Sequence, residues 1–361
     1  KRQLLSHLGY EGDLELAEQV AGIGIIVGGH SHRLQGDFSS IGLGQDDPYG
    51  IKINDTYVVQ AGFHALTMGH CVIEFDEHGK ATMLSGQNEL LLGRRIFWDS
   101  TLNQQLDQGV FETACDFIHG QPNVVVCKKH PETQAILSDK YIPQVRQLQS
   151  QVIASVDTKK RHVRIPDEFG ESELASSVAR SFLHCLNKRG YDVQFAIHNA
   201  GGVRTSLNPG NITVADIAGR LLPFAVPIGF YDVKGSAIRR ALEGAINNAL
   251  NNGVEGTGSG SYPYTYNLNF EYHADAPKGE RVQSLVIFDG KQWVGVQDDV
   301  WYRGTSSAYT MKGKEGYDAL QEMKGEGRVT SLSMADCFIE LLTDEPNCLN
   351  QSHKLYTKRR R

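Results

Sequence analysis

Between His130 and Ile153 the chain reads as one polar helix, with Ile136, Tyr141, Val145 and Leu148 forming a single apolar stripe among Gln, Lys and Asp. A helix that bridges solvent between domains has this pattern. It constrains the chain to two bodies, and 361 residues is two or three times the usual size of one domain. The expected boundaries are residues 1–128, a linker helix over 129–153, a second domain over 154–345, and a tail over 346–361.

The segments on either side differ in pattern. Before the linker, Gly24-Ile25-Ile26-Val27, Tyr57-Val58-Val59-Gln60 and Cys71-Val72-Ile73-Glu74-Phe75 have strand character. A short helix over Asp13 to Val20 leads into the first of them. After the linker, Leu174, Val178, Phe182 and Leu186 recur at helical spacing over Glu171 to Asn187, and Asp192 to Ile197 follows as a strand. A second helix is expected over Ser236 to Asn251, then a surface loop over the Gly-rich stretch 253–260. Hairpin-like runs follow over Tyr264 to Tyr272 and Val282 to Asp289, split by Pro277-Lys278-Gly279. A last helix is expected over Ser333 to Leu342, and Lys358 to Arg361 read as a frayed, solvated end.

Composition matters here for what it excludes. With 40% hydrophobic residues, 22% charged, 38 Gly and 11 Pro, the chain is ordinary globular material, and no run reaches the eighteen apolar residues of a membrane span. A net charge of −6 and the lack of a basic recognition helix argue against nucleic acid as a partner. A small anionic substrate stays open, since a pocket can be basic on an acidic protein. The six cysteines show no zinc spacing. Cys115/Cys127 and Cys337/Cys348 are close enough in sequence to close small loops, which fits an oxidising compartment, whereas Cys71 and Cys185 sit in apolar patterns as buried thiols.

The sharpest local feature is Gly28-Gly29-His30-Ser31-His32, directly after the apolar run that ends at Val27. Two imidazoles one residue apart on a glycine-rich strand-to-loop turn can point at a common spot, and imidazole is the commonest metal-binding side chain. His7 lies on another such turn, Leu4-Leu5-Ser6-His7-Leu8-Gly9, and both turns fall at one edge of a sheet if the strands run parallel. Three unrelated surface histidines among thirteen is the competing interpretation.

Ser6-His7-Leu8-Gly9, Val27 to His32, and Val58-Val59-Gln60-Ala61-Gly62 together resemble the end of the calcineurin-like metallophosphoesterase domain of the 5′-nucleotidase family. Asn199-Ala200-Gly201-Gly202-Val203-Arg204 is similar to the signature that begins that family's nucleotide pocket. Leu222-Pro223-Phe224 and the run from Tyr309 to Tyr317 fall where the family places two base-stacking aromatics and a nearby acidic residue. The wording Lys-Glu-Gly-Tyr after Tyr309 looks most like the bacterial NAD-degrading branch.

The resemblance implies α/β and α+β architecture: the C-terminal part of a four-layer α/β/β/α metallophosphoesterase sandwich, a linker helix, and an α+β nucleotide-binding domain. It implies two divalent metals of zinc, manganese or cobalt type, with His7 and His30 on one and His32 on the other. It implies substrate contacts at Asn199, Gly202, Arg204, Phe224, Tyr309 and Glu315. Arg204 suits a phosphate or ribose, Phe224 and Tyr309 a flat base, and Glu315 ribose hydroxyls; singly, each is equally an ordinary core or surface residue. Arg161 and Arg164 are further candidates to reach the pocket, but the wording departs from the family there and neither is assigned.

The activity implied is hydrolysis of nucleotide phosphate esters, extending to the pyrophosphate of NAD, with AMP, NAD and UDP-sugars as candidate nucleotides and a periplasmic or cell-surface location. No catalytic residue is assigned, because the family's Asp-x-His, bridging Asp and Asn-His pair precede the equivalent of His7. The sequence is therefore expected to be an N-terminally truncated chain, with residues 1 to about 128 the less stable part. The alternative is a nucleotide-binding module without catalysis.

Overall fold

A computed structural model describes residues 2–96, 106–251, 258–351 and 357–360, the last four and Asn251 by backbone alone. The chain divides into two compact units, Lys1–Leu137 and Ser138–Arg361.

In the first unit Gln3–Leu5, Ile25–Val27 and Thr56–Val59 run parallel, and Ile51–Ile53 closes one edge antiparallel. Helix α1 (Tyr10–Gln19) covers one face, where Tyr10 and Ala17 pack with Ile26 and Val58. It begins at Tyr10 rather than Asp13. The reason is nonlocal: Ser31 Oγ accepts the Tyr10 N–H at 2.6 Å, capping the helix from twenty-one residues away. On the opposite face Ile25, Tyr57 and Val59 meet Ala81 together with Cys71, Ile73 and Phe75. These come from a long antiparallel pair, Thr67–Phe75 with Ala81–Leu92, which Val124–Val126 extends in parallel. Helix α2 (Gln108–His119) borders Leu92 and Val126 through Phe111, Cys115 and Ile118. Helix, sheet, sheet and helix thus follow the expected α/β/β/α order.

The polar segment is helical but broken. Helix α3 (Pro131–Ile136) and helix α4 (Ile142–Ser150) are joined by a π-helical turn over Leu137–Tyr141, and the strand Val152–Val156 begins before the expected helix end at Ile153. None of these helical side chains is buried, so the apolar stripe faces no core.

The second unit is built on a five-stranded sheet in the order Pro263–Tyr266, Phe195–Asn199, Trp301–Ser307, Pro227–Lys234, Arg328–Ser333. Only Phe195–Asn199 and Trp301–Ser307 pair in parallel. Helix α5 (Ala175–Lys188) packs on it through Val178, Phe182, Cys185 and Leu186, all fully buried. It starts later than the periodicity predicts because Ser172 Oγ accepts the Leu174 and Ala175 N–H groups and sets the first turn there. Helix α6 (Gly235–Asn251) contributes Ile238, Leu242 and Ile246 to the same core.

The two hairpin-like runs do pair, Leu268–His273 antiparallel with Val282–Phe288, but the first run, Tyr264 to Tyr272, is divided between two sheets. Asn267 turns the chain there with φ 55°. Of the Gly-rich stretch, residues 253–257 lie outside the described residues. The expected frayed end differs too, since Thr357–Arg360 pairs in parallel with Leu268–His273; Arg361 lies outside the described residues. The six cysteines are free, and the thiol beside Cys337 is that of Cys185, not Cys348. Among the described residues no helix is long and apolar enough to cross a membrane.

Candidate functional site

Two groups of residues stand out, one in each unit, and each is placed by parallel strands whose C-terminal ends share an edge. In the first unit the pairs Leu5–Val27 and Val27–Val59 bring the turns after Leu5 and Val27 side by side. His7 and His30 meet there, with ring centroids 5.0 Å apart. His32 turns elsewhere and stacks on Phe63 at 4.8 Å. His30 and His32 both hold left-handed backbone, with φ of 70° and 60°, a conformation uncommon for side chains of this size.

Beneath the turn lies Asp13, which no motif in the sequence singles out. It is fully buried, Gln60 Nε2 donates to its Oδ2 at 3.4 Å, and its Oδ1 has no partner. Burial raises its pKa, against hydrogen bonds from Ser6 and Gln60 and the nearby His7. A Cβ on Gly28 would stand 2.0 Å from Asp13 Oδ2, so only glycine lets the strand end approach this carboxyl. In sequence Asp13 looks like an ordinary acidic residue in a first helical turn. Its burial is set by Gly28 and Gln60, which are far along the chain.

The divalent metals implied by the resemblance can be tested against these residues. His7 and His30 converge as two neutral donors, but among the described residues no three His, Cys, Asp or Glu side chains are grouped to hold an ion. Zinc sites, structural or catalytic, take three or more protein donors. The described residues therefore do not complete such a centre, and no catalytic step is assigned to a metal.

In the second unit Phe195–Asn199 and its parallel neighbour Trp301–Ser307 end at one edge, with Phe195 opposite Gly304. After Asn199 a short turn, Ala200–Gly202, leads to Arg204; after Ser307, which caps it, comes helix α7 (Ala308–Met311) carrying Tyr309 and Thr310. Asn199 joins the two halves. Its Oδ1 accepts from Thr310 Oγ1 at 3.4 Å, and its Nδ2 donates to Glu315 Oε2 at 3.4 Å. Glu315 holds left-handed backbone, φ 58°, in the turn Lys314–Gly316, and its charge, after burial, pushes the Tyr309 hydroxyl up to about 12. A Cβ on Gly202 would stand 2.4 Å from the ring of His198, so the turn can lie on that imidazole only as glycine.

Arg204 is the electrostatic centre. Its Nη1 donates to the Gly201 carbonyl at 3.2 Å and its guanidinium lies 5.4 Å over the Phe224 ring. Burial, then the neighbouring Arg164, disfavours its charge. Among the described residues no carboxylate pairs with it. Phe224 and Tyr309 keep 45% and 42% of their surface exposed, which leaves aromatic faces open. This end of the sheet thus offers open rings, a carboxylate, and at Arg204 a guanidinium that an anion would neutralise. Arg164, left unassigned from sequence, belongs here: it faces Arg204 and donates to Ser259 Oγ at 3.4 Å.

Residues 152–322 match the family described as 5′-nucleotidase, C-terminal domain. A probable 5′-nucleotidase of Treponema pallidum is 30% identical over 341 residues, covering 89% of this chain and 56% of that protein. The NAD 5′-nucleotidase of Haemophilus influenzae is 25% identical over 366 residues, covering 95% of this chain and 60% of its own length. The chain therefore spans less than two thirds of these relatives. A solved 5′-nucleotidase precursor from Thermus thermophilus shares the fold, with a TM-score of 0.65 at 24% identity, covering 99% of this chain and 64% of that one.

Proposed function

Since this chain belongs to the 5′-nucleotidase family through the domain carried by residues 152–322, we propose that it binds nucleotides at Arg204 and serves the hydrolysis of their phosphate esters and of the pyrophosphate of NAD. The observation that supports this best is Arg204, half-buried beside a second guanidinium and flanked by Phe224. In this reading Phe224 and Tyr309 stack the base, Glu315 accepts from ribose hydroxyls, and Asn199 fixes Glu315 from behind. Gly202 lets the turn lie flat, and Arg204 takes the phosphate. AMP, NAD and UDP-sugars all carry these parts. The proposal includes a periplasmic or cell-surface location. It also includes His7 and His30 as donors to one divalent cation and His32 to a second.

A second reading, a nucleotide-binding module without catalysis, is favoured by the lack of a three-donor group among the described residues. Phosphate release from AMP and NAD, with zinc or manganese supplied and metal per chain measured in the same sample, separates the two. Turnover abolished by EDTA supports the first; AMP binding with no turnover supports the second. A folded chain that neither binds nor turns over AMP overturns both.

A further inference from the structure

Beside the phosphate side of this pocket lie two imidazoles that the reading above does not use. His198, the residue before Asn199, is fully buried, its ring meets Phe182 edge-on at 5.4 Å, and neither ring nitrogen has a partner. His162 is near it. The His162 N–H donates to Ser206 Oγ at 3.0 Å, its Nδ1 is 2.8 Å from Ser172 Oγ, and its Nε2 is buried without a partner. A buried imidazole nitrogen left open beside an anion pocket needs a physical account.

The charges around His162 come from every side. Its own segment supplies Arg161 and Arg164, the chain beyond the glycine turn supplies Arg204, and the strand beneath supplies His198. Ser172 faces it from just before α5, and the Ala200 carbonyl is the neighbour that favours its protonated form. Among the described residues the nearby carboxylates are engaged elsewhere: Asp167 by the Arg161 guanidinium, and Glu173 by the Arg161 N–H at 2.8 Å. Glu171 acts on Tyr262 and Tyr264.

We propose, resting on the nucleotide reading above, that His162 takes up a proton when the phosphate of a nucleotide settles at Arg204 and Arg164, so that the pocket gains a further cation for phosphorylated ligands and none for the nucleoside. In this structure burial first, then Arg164 and Arg204, push His162 down to about 4. A phosphate dianion at Arg204 reverses that residue's share, because its guanidinium then carries a counter-charge. The Ser172 hydroxyl can rotate to accept from Nδ1–H, and the Ala200 carbonyl already favours the imidazolium. His198, pushed down to about 3 by burial, stays neutral. The proton comes from solvent and leaves with the phosphate.

The test is calorimetry of AMP and adenosine at pH 5.5 in two buffers of different ionisation enthalpy, on the native chain and on His162→Gln. AMP's own phosphate titrates alike in both and cancels in the difference. The expected result is that the native chain takes up about half a proton or more per AMP in excess of His162→Gln, and that adenosine shows no such difference. The His162 Cε1–H resonance of the native chain, followed by NMR as AMP is added, is the second readout and does not depend on whether the substituted chain folds. Its move to the imidazolium position supports the proposal. Equal proton counts in two chains that both bind AMP, or a resonance that stays neutral in saturating AMP, overturns the proposal and leaves the nucleotide reading standing. A folded native chain that binds no AMP overturns both.

Discussion

Arg204 is pre-positioned by its own turn, through the Gly201 carbonyl and the Phe224 face, so it meets a ligand with little ordering cost. Arg204→Ala is expected to weaken AMP binding about 10- to 100-fold, the size of effect that follows removal of a charge-assisted hydrogen bond from a half-buried site. His30→Ala changes AMP affinity by less than about two-fold, since it belongs to the other unit. Calorimetry that finds equal losses in the two variants sinks the two-site account. Gly202→Ala drives a methyl into the His198 ring and is expected to cost about 1–3 kcal/mol of stability, read as a lower urea midpoint. The run Asn199 to Arg204 stood out in the sequence because its residues follow one another along the chain, although its partners Phe224, Thr310 and Glu315 do not. Asp13 and His162 did not, because what makes them unusual is burial and charge contributed by residues far away.

Helices α5 and α8 (Met334–Asp344) are joined by a row of ion pairs at their exposed rim. Arg189 meets Glu340 at 2.8 Å, Lys188 meets Asp344 at 2.6 Å, and Arg180 meets Glu345 at 2.6 Å. The Arg189 guanidinium, with Lys188, holds Glu340 down to about 2. The folded carboxyl thus binds its proton less readily than the unfolded one. Its contribution is present above the unfolded pKa near 4.3 and is lost as pH falls towards 2. Glu340→Gln should therefore lower the melting temperature at pH 7 and flatten its decline between about pH 4.5 and 2; parallel melting curves in that window for variant and native chain contradict this. On α6, Glu243 is 6% exposed and accepts the N–H groups of Gly279, Arg281 and Val282 at 2.8, 3.0 and 2.7 Å. Glu243→Ala leaves three donors without that partner and should cost at least about 2 kcal/mol, a fall of about 4–8 °C for a body of this size. The periodicity located α5, α6 and α8 to within a few residues. The break at Asn267, inside what looks like one run, shows the limit: strand character says nothing about which sheet a strand joins.

At the scale of the molecule the two units differ in how much core they hold. The second has one continuous core running from Ala154 to Leu349, whereas the first has two small clusters on the faces of its parallel sheet. Two transitions are expected in calorimetric melting, the first unit below the second, with AMP raising only the upper one, by about 2.7 kcal/mol of stability at a hundred times its Kd. One transition that moves as a whole with AMP contradicts this. The polar helical segment itself was visible in the sequence, but its broken form was not, since a stripe of four apolar residues looks the same whether or not it packs. That segment has a further consequence. From Pro131 to Ser150 no side chain is buried, and the π-helical turn at Leu137–Tyr141 interrupts the helical ladder halfway. Local opening there costs little, so Lys140 and Arg146 are the bonds at which trypsin should first nick the native chain. The cut ends would belong to separate cooperative units, and a clipped preparation would still hold AMP through Arg204 while running as two fragments on a denaturing gel.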